Sequence, residues 1–447
     1  MAIVEVVRVA VVLVVVTNGG GSCGGGGAVD GEVEWSLVDA GVGGGGAIGC
    51  RGDDICRGGE VTRYSIGVDD YIEISKMDNF GHIPRDVIIE ILSRLPVKSL
   101  LRFKCVCKSW RSIITGHSFI YEHLNMALVD CKRARLLIMH IDPHTRATVF
   151  SLFTNEQLKA PKNLRFHTKP QGHFRIMGPC HGLFCLYDYY ENFFLWNPAT
   201  REIKDIPKTP TRLPREFVHK PNNALYGFGF DWKTRDYKVV KMLWSDYKGG
   251  GGEYHVYVYT LSTNSWRKID VALPTRVYYS FSYYNSAYVN GTYYWWARLF
   301  IVCFDISNEQ LWMIRLPKLV FPPMEGDVRG STTFNEYNGS LALFFFLQNE
   351  TETWSELWTL DRHGMAVTWT KQSSVGLLKG LLTPIGILKN NWVLFVNEDE
   401  GDTIIPYDLK AKSMQIPLPV DSEIKIEGLA WGMKAVFYIE SLVSLED

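Results

Sequence analysis

The chain has 447 residues, 46% of them hydrophobic and 21% charged, which is enough apolar material for a sizeable core and about three average domains. Lys and Arg number 47 against 48 for Asp and Glu, so the formal net charge is −1 and argues against nucleic acid as the main partner. The nine cysteines include no pair at the two-residue spacing of zinc ribbons and redox motifs, which favours free, mostly buried thiols in a reducing compartment.

Residues 1–76 are rich in glycine and show no sustained helical or strand period, so we expect a disordered extension. An apolar run over residues 9–16 resembles the core of a secretory signal. Glu5 and Arg8 interrupt the apolar stretch, however, and the run is too short to span a bilayer. The pattern changes sharply at Met77. We therefore hypothesise that Met77 is the true or an alternative start, and that the extension is an artefact of gene prediction if Met77 is the true one.

Three asparagine sequons, at Asn290, Asn338 and Asn349, would accept glycans if the chain were secreted. The first two are also Asn-Gly pairs, which tight hairpin turns favour in any case. Together with the apolar N-terminus, the sequons support an alternative function, that of a secreted propeller-type carbohydrate-binding or glycosidase-like protein.

A short helical module begins at Pro84. The stretch between Pro84 and Pro96 carries apolar residues at helical spacing, with Asp86 near the positive end of the helix dipole. Two further helical stretches are predicted around Leu100 and Trp110. Three short helices cannot bury this much apolar surface alone, so they either pack on the following domain or present a docking face to another protein.

Residues 83–110 resemble an F-box. The resemblance implies a surface that binds a Skp-type adaptor, which in turn holds a cullin and a RING subunit. The positions that match the motif, and that are predicted to bind the adaptor, are Ile83, Pro84, Ile88, Ile91, Leu92, Leu95, Pro96 and Leu100. Isoleucine replaces the usual leucine before the first proline, and residues 116–119 replace the usual proline-containing exit. Neither departure removes an apolar anchor.

Beyond residue 125 the sequence turns into short strands rich in aromatic and aliphatic residues, separated by turn residues. An apolar or aromatic pair followed by a polar turn recurs six times, with third positions at Ile141, Asn197, Leu261, Ile306, Leu360 and Leu409. The intervals of about 45 to 64 residues fit four-stranded propeller blades plus loops. Each repeat is interpreted as a hairpin whose second strand carries the motif, and Gly227 and Gly229 as bends or exposed loops.

The predicted fold class is therefore α+β and multidomain. A three-helix F-box over residues 77–124 is followed by an all-β, six-bladed propeller-like domain over residues 125–447. Four motifs resemble the F-box-associated interaction domain, a kelch-like propeller common in plant F-box proteins: residues 178–185, 196–201, 226–231 and 236–240. The motifs themselves are interpreted as structure, and Trp295 and Trp296 are expected to pack between sheets.

The sequence carries no metalloprotease helix motif, phosphate loop or nucleophile elbow, and its 11 histidines show no ligand spacing. We therefore expect no enzyme activity, no catalytic residue, no cofactor and no metal. Ubiquitin transfer would need a catalytic cysteine or a zinc-bound RING, so the resemblance implies a receptor that brings a target protein to a Skp–cullin–F-box ubiquitin ligase.

The expected partners are the Skp adaptor, through it the cullin and RING subunits, and an unidentified target, with neither nucleic acid nor membrane. The expected location is the cytoplasm, the nucleus or both. Three linkers, residues 209–223, 245–252 and 321–333, are candidates for binding the target because propeller function usually lies in loops. A further alternative is an F-box protein that acts outside a ligase, as a simple adaptor or inhibitor.

Overall fold

The computed structural model describes most of the chain from residue 84 onwards. The described residues are 84–129, 133–141, 147–153, 162–164, 174–210, 224–246, 252–271, 286–297, 300–318, 329–349, 352–363, 366–375, 378–379, 382–388, 392–397, 403–414 and 434–446, with 35–36 and 63–64. The two last pairs form the short antiparallel strands β1 (Trp35–Ser36) and β2 (Arg63–Tyr64). The rest of the extension predicted to be disordered lies outside the described residues, as does Ile83.

The chain separates into two compact units, Met1–His123 and Leu124–Asp447. Helices run over α1 (Arg85–Ser93), α2 (Val97–Phe103), α3 (Lys108–Thr115) and α4 (His117–Val129). The sequence predicts three helices here and the structure has four. Gly116 adopts an extended conformation (φ −69°, ψ 133°), which ends α3 and allows a new helix to begin at once. No helix in the described part of the chain is long and apolar enough to cross a membrane.

The helices of the first unit begin and end where the local sequence dictates. Pro84 precedes α1 and Asp86 lies in its first turn, where a carboxylate favours the positive end of the helix dipole. The carbonyl oxygen of Pro96 accepts the first hydrogen bonds of α2, and the Cys107 thiol accepts one from the Trp110 N–H at 3.4 Å at the start of α3. The buried core of this unit consists of Leu92, Leu95, Val97, Leu100, Ile113, Ile114 and Phe119.

The second unit is a six-bladed β-propeller, as predicted. Blade 1 contains β3 (Ala134–Ile141), β4 (Thr148–Phe153) and β5 (Lys162–Leu164); blade 2 contains β6 (Phe174–Cys180), β7 (Leu183–Asp188), β8 (Phe193–Asn197) and β9 (Glu202–Ile206). Blade 3 contains β10 (Ala224–Asp231), β11 (Asp236–Asp246), β12 (Gly252–Thr260) and β13 (Ser265–Ile269); blade 4 contains β14 (Ser286–Val289), β15 (Thr292–Ala297), β16 (Phe300–Asp305) and β17 (Gln310–Arg315).

The remaining strands form blades 5 and 6 and supply the fourth strand of blade 1. Blade 5 contains β18 (Arg329–Tyr337), β19 (Ser340–Gln348), β20 (Glu352–His363), β21 (Ala366–Ser374) and the short β22 (Leu378–Lys379), which pairs with β20. Blade 6 contains β23 (Leu382–Leu388), β24 (Trp392–Asn397), β25 (Thr403–Asp408) and β26 (Ser413–Met414). The last strand, β27 (Lys434–Ile439), belongs to blade 1, whose order is β27-β3-β4-β5.

The ring is closed by pairing the two ends of the second unit. β27 runs antiparallel to β3, with Ile439 opposite Ala134 and Lys434 opposite Met139. The six inner strands are β6, β10, β14, β18, β23 and β27, and each contacts the next around the ring. Closure therefore joins the last strand of the unit to its first strand within one blade, and the radial repetition of blades leaves only short, protected sheet edges.

The repeated motif lies on a different strand from the one predicted. Asn197, Leu261 and Ile306 each lie at or just after the end of the third strand of their blade, and the copies in blades 5 and 6 occupy corresponding places. The first copy, at Ile141, ends a second strand instead. Its equivalent in blade 1 is Phe153, at the end of β4. β3 is the first strand of the propeller in the sequence but the second strand of blade 1, because the inner strand of this blade, β27, comes from the C-terminal part of the chain. The local sequence does not reveal this arrangement.

The interpretation of Gly227 and Gly229 as bends or exposed loops is wrong, because both lie within β10 and are buried. A Cβ atom on Gly227 would come 2.8 Å from the Trp295 ring, and one on Gly229 would overlap the ring of Tyr288. The two glycines therefore allow blade 4 aromatics to pack directly on the backbone of an inner strand.

Trp295 and Trp296 pack between sheets, as expected. Trp295 is buried against blade 3 together with Val240 and Val258, whereas Trp296 faces the other way and packs near Phe334 of blade 5. Neighbouring side chains on a strand point to opposite faces of the sheet, so consecutive aromatics fill two different layers between blades.

Candidate functional site

The eight residues predicted to bind an adaptor fall into two structural groups. Leu92, Leu95 and Leu100 are buried in the core of the first unit. Pro84 and Pro96 are exposed, and Ile88 and Ile91 are partly buried on α1; Ile83 lies outside the described residues. The structure thus separates side chains that can contact a partner from side chains that hold the helices together.

Three of the accessible apolar residues of α1, Val87, Ile88 and Ile91, share one side of the helix; Ile89, also partly buried, is not among them. Ile91 follows Ile88 by three residues and Val87 by four, the spacings that place side chains on one side of a helix, and Val87 is 43% exposed. We call this set the α1 face. The sequence motif did not include Val87, although its position in the same stripe could have identified it.

Two contacts join the helices of the F-box region. His123 is buried, and its Nε2 lies 2.9 Å from the Leu95 carbonyl oxygen, which links α4 to the end of α1. On the next helices, the rings of Phe103 and Trp110 meet edge to face at 5.3 Å. These contacts tie α4 to the end of α1, and α2 to α3.

A second candidate surface is formed by the turns that join the first and second strands of blades 2 to 5. These turns comprise residues 181–182, 232–235, 290–291 and 338–339, and we call them the hairpin-turn face. They adjoin in space, since the rings of His181 and Trp232 lie 5.1 Å apart and the Asn290 amide donates a 2.5 Å hydrogen bond to the Gly339 carbonyl oxygen.

Three of these turns share one conformation. His181, Asn290 and Asn338 have φ values of 50°, 47° and 49°, and the glycine after each has φ near 80°. Two successive residues with positive φ are the signature of the tight hairpin turn that Asn-Gly pairs favour. The Asn-Gly pairs therefore form hairpin turns, as expected, and His181 takes the asparagine position in blade 2.

His181 is the least expected member of the hairpin-turn face. Its ring lies 4.6 Å from that of Phe230 and 6.0 Å from that of Tyr237, in addition to its contact with Trp232. Burial lowers the pKa of His181 from 6.5 to about 4. The imidazole is consequently neutral at neutral pH, and its ring packs against the neighbouring aromatic rings.

A network of ion pairs near the hairpin-turn face joins side chains of blade 3 to Glu309 of blade 4. The Lys238 ammonium lies 2.6 Å from Asp231 Oδ2 and 2.8 Å from Glu309 Oε1, and Glu309 also pairs with Arg267. Burial opposes ionisation of Asp231, but hydrogen bonds from Lys238, Ser307 and Thr234 outweigh it and hold the pKa of that carboxyl well below its usual range. The sequence motifs do not single out His181 or Trp232, although each is an aromatic residue at a turn, where polar residues are usual.

The described residues show no arrangement that suggests catalysis. They contain no group of three or more His, Cys, Asp or Glu side chains that could hold a metal ion. Of the cysteines described, Cys105 and Cys107 are exposed, whereas Cys180, Cys185 and Cys303 are buried, and all five are free. Burial raises the pKa of the Cys180 and Cys185 thiols well above the usual range, so neither is a reactive thiolate. The three candidate linkers lie largely outside the described residues.

Comparison with known proteins places both units in one family. Residues 80–122 match the F-box domain, and residues 135–414 match the F-box associated beta propeller domain. The chain belongs to the F-box proteins that carry an F-box-associated β-propeller. The family assignment covers the α1 face and five complete blades, together with the part of blade 1 that precedes β27.

Several relatives come from Arabidopsis thaliana. An F-box/kelch-repeat protein is 26% identical, with 68% of this chain and 83% of the relative covered. F-box protein CPR1 is 24% identical over 79% of this chain and 89% of its own length. F-box protein DOR is 30% identical over 63% of this chain and 70% of its own length.

Proposed function

We propose that this F-box protein is the substrate-recognition subunit of a Skp–cullin–F-box ubiquitin ligase. It binds the Skp adaptor through the F-box and an unidentified target protein through the propeller. The observation that carries the proposal is the α1 face, whose accessible apolar residues lie within the matched F-box over a packed core. An apolar helical surface of this kind suits docking by helices of a partner.

The chain contributes binding and performs no chemistry in this proposal. The adaptor holds the cullin and RING subunits, and the propeller keeps the target close to the ubiquitin-charged conjugating enzyme. Holding two reactants together raises their effective concentration and supplies the rate increase. The exposed free thiols of Cys105 and Cys107 suit a reducing compartment, so we place the protein in the cytoplasm, the nucleus or both.

The first experiment is a pull-down of a purified Skp adaptor by the full chain. A double variant, Val87→Asp with Ile88→Asp, places charges on the α1 face without entering the core, and we expect it to abolish binding. Leu128→Asp is the matched control, since Leu128 is also 43% exposed and lies on α4. Adaptor binding that survives the double variant, or that is absent from the unaltered chain, contradicts the proposal.

A second experiment separates ligase action from a role outside the ligase. The chain is assembled with adaptor, cullin and RING subunits and supplied with ubiquitin and a conjugating enzyme. Ubiquitination of a co-purified protein that depends on the intact α1 face supports the ligase. Adaptor binding without any ubiquitination supports the simple-adaptor alternative instead.

The secreted-propeller alternative gives the F-box no role. One of its sequons also has a structural use, because the Asn290 amide nitrogen donates to the Gly339 carbonyl oxygen and joins two turns. Fractionation of the native protein distinguishes the two: an unglycosylated protein inside the cell excludes the secreted alternative.

A further inference from the structure

Trp232 occupies the first position of the turn between β10 and β11, and its side chain is 47% exposed. Among the tryptophans whose exposure the structure describes, Trp232 is the one classed as exposed, whereas Trp266, Trp295 and Trp354, for example, are buried. Turn positions normally carry polar residues, so an indole at a hairpin tip is unusual. Its packing on neighbouring rings leaves nearly half of the side chain accessible to a partner.

The indole is held in place from behind. Its ring meets those of Phe230 and His181 edge to face, at 5.0 and 5.1 Å. Aromatic pairs with this geometry are stabilising, and they restrict the rotamers of the side chain. A partner that binds the accessible part of Trp232 would consequently lose little side-chain entropy on association.

The backbone of the turn is equally constrained. Asp231 Oδ1 accepts hydrogen bonds from the backbone N–H groups of Lys233 and Thr234, at 2.8 and 3.3 Å. The Trp232 N–H donates to Ser307 Oγ of blade 4 at 3.1 Å. The turn is thus fixed both within its own blade and to the neighbouring blade.

The charge beside Trp232 is unbalanced. Lys233 and Arg235 are exposed in the same turn, and Lys233 Nζ contacts only a neutral group, Asn308 Oδ1, among the described residues. The nearby carboxylates have other partners: Asp231 and Glu309 bind Lys238, and Asp305 accepts hydrogen bonds from the backbone of Ser307 and Asn308. Two surface cations therefore follow the exposed indole in the same turn, and none of the acidic side chains among the described residues forms an ion pair with either of them.

We infer that Trp232, Lys233 and Arg235 form a recognition site for an acidic segment of the target protein. An apolar side chain of that segment packs on the Trp232 indole, and flanking carboxylates meet Lys233 and Arg235. The inference rests on the proposed function, since it names the chemistry of the target that the propeller binds. Tryptophan and arginine are the residues that most often dominate binding energy at protein interfaces.

An indole with two cations would also suit a single-stranded nucleic acid. That partner fits less well, because such proteins follow the phosphate backbone with an extended basic groove. Here the cations are confined to one turn, the ion-pair network behind it is balanced, and the whole chain carries a net charge of −1. A peptide with a few carboxylates matches the size and charge of the site.

The test is a selection of random displayed peptides on the immobilised full chain in complex with the Skp adaptor. We expect the selected peptides to carry Asp or Glu beside an aromatic or aliphatic residue. Their affinity should fall about tenfold or more in Trp232→Ala and in the double variant Lys233→Glu with Arg235→Glu. Trp232→Phe should recover part of the affinity. Tyr190→Ala is the control, because Tyr190 is 71% exposed on a different turn of blade 2.

Four outcomes would overturn the inference: no enriched peptide, peptides without acidic residues, peptides that bind Trp232→Ala unchanged, or displacement of the peptides by a single-stranded oligonucleotide that itself binds more tightly. Thermal unfolding of each variant shows whether the propeller remains folded. Adaptor binding is measured on the same samples. Intact adaptor binding with failed peptide binding rejects this site and leaves the proposed function standing, whereas loss of adaptor binding rejects the proposed function.

Discussion

The Lys241 ammonium lies 2.6 Å from Glu191 Oε2 in the propeller, where the two side chains are only 1% and 12% exposed. The Tyr226 hydroxyl donates to the other carboxylate oxygen, also at 2.6 Å. Burial lowers the pKa of Lys241, and the charge of Glu191 opposes that shift. Glu191 has a positive φ of 58° in the turn between β7 and β8, which also contains Tyr189 and Tyr190, so the buried pair fixes a strained turn residue.

Removing one member of this pair should be costly. Lys241→Met leaves the Glu191 carboxylate buried without its cation, and we expect the free energy of unfolding to fall by about 3 kcal/mol or more. The double variant Lys241→Met with Glu191→Leu should lose less than the single variant. Chemical denaturation measures both. A double variant that loses as much as the sum of the two single changes would contradict the coupling.

Stability should depend on pH through His181. Its pKa is about 4 in the folded protein against an ordinary 6.5, so the unfolded chain binds more protons between these values. This contribution to stability is complete above pH 6.5 and is lost progressively as the pH falls towards 4. The shift corresponds to at most about 3 kcal/mol.

The matched variant for this prediction is His181→Asn. Asparagine occupies the same turn position at Asn290 and Asn338 and tolerates positive φ, but it does not titrate in this range. Denaturation curves of both proteins across the acid range should show a smaller loss of stability in the variant. Parallel pH profiles would show that His181 is not the responsible group.

Alanine substitutions at two turn glycines should separate the cost of backbone strain from the cost of a steric clash. Gly182 and Gly339 have φ values of 80° and 79°, so replacing either with alanine costs about 1 kcal/mol of conformational energy. A Cβ atom on Gly182 would also overlap the carbonyl oxygen of Ile439, whereas one on Gly339 would meet nothing within 4 Å. Gly182→Ala should therefore lower the melting temperature clearly more than Gly339→Ala. Equal effects would mean that the closing strand β27 shifts freely.

Asn197 should hold the C-terminal residues against blade 2. Its side chain is fully buried, and its amide donates to the carbonyl oxygens of Ser441 and Val443 at 3.0 and 2.8 Å. Its Oδ1 accepts from the N–H groups of Ala199 and Thr200. Asn197→Ala leaves several buried groups without partners, and we expect a loss of about 2 to 3 kcal/mol. Limited proteolysis should then release the C-terminal residues earlier; an unchanged cleavage rate would refute this.

Core and surface positions of the F-box should respond differently. Leu100 is fully buried, so Leu100→Ala should destabilise the first unit by about 2 to 5 kcal/mol and weaken adaptor binding through unfolding. Val87→Ala should leave the helical circular dichroism unchanged and weaken adaptor binding directly. If Val87→Ala unfolds the helices, or leaves binding unaffected, the α1 face is not the docking surface.

Local and periodic features of the sequence were sufficient for much of the architecture. The stripe between Pro84 and Pro96 specifies α1, because apolar side chains three and four residues apart must share one face of a helix. The Asn-Gly pairs at Asn290 and Asn338 specify hairpin turns, because few residues tolerate positive φ. The recurring motif specifies the blade number, since each repeat must pack on the next to bury its faces.

Long-range contacts decided what the sequence could not. Only the folded chain shows that Leu92, Leu95 and Leu100 are core while Ile88 and Ile91 remain accessible, because the position of the neighbouring helices determines which part of a stripe is covered. The fourth helix likewise depended on the conformation of a single residue, Gly116.

The closure of blade 1 and the site at Trp232 both depend on contacts between residues that are far apart in the sequence. β27 pairs with β3 across almost the whole propeller sequence, and His181 reaches Trp232 from a different blade. Such contacts join residues that are remote in sequence, so no local pattern encodes them. The sequence by itself determined the first three helices, the Asn-Gly turns and the number of blades. The tertiary structure alone decided how the ring closes and which side chains meet on its surface.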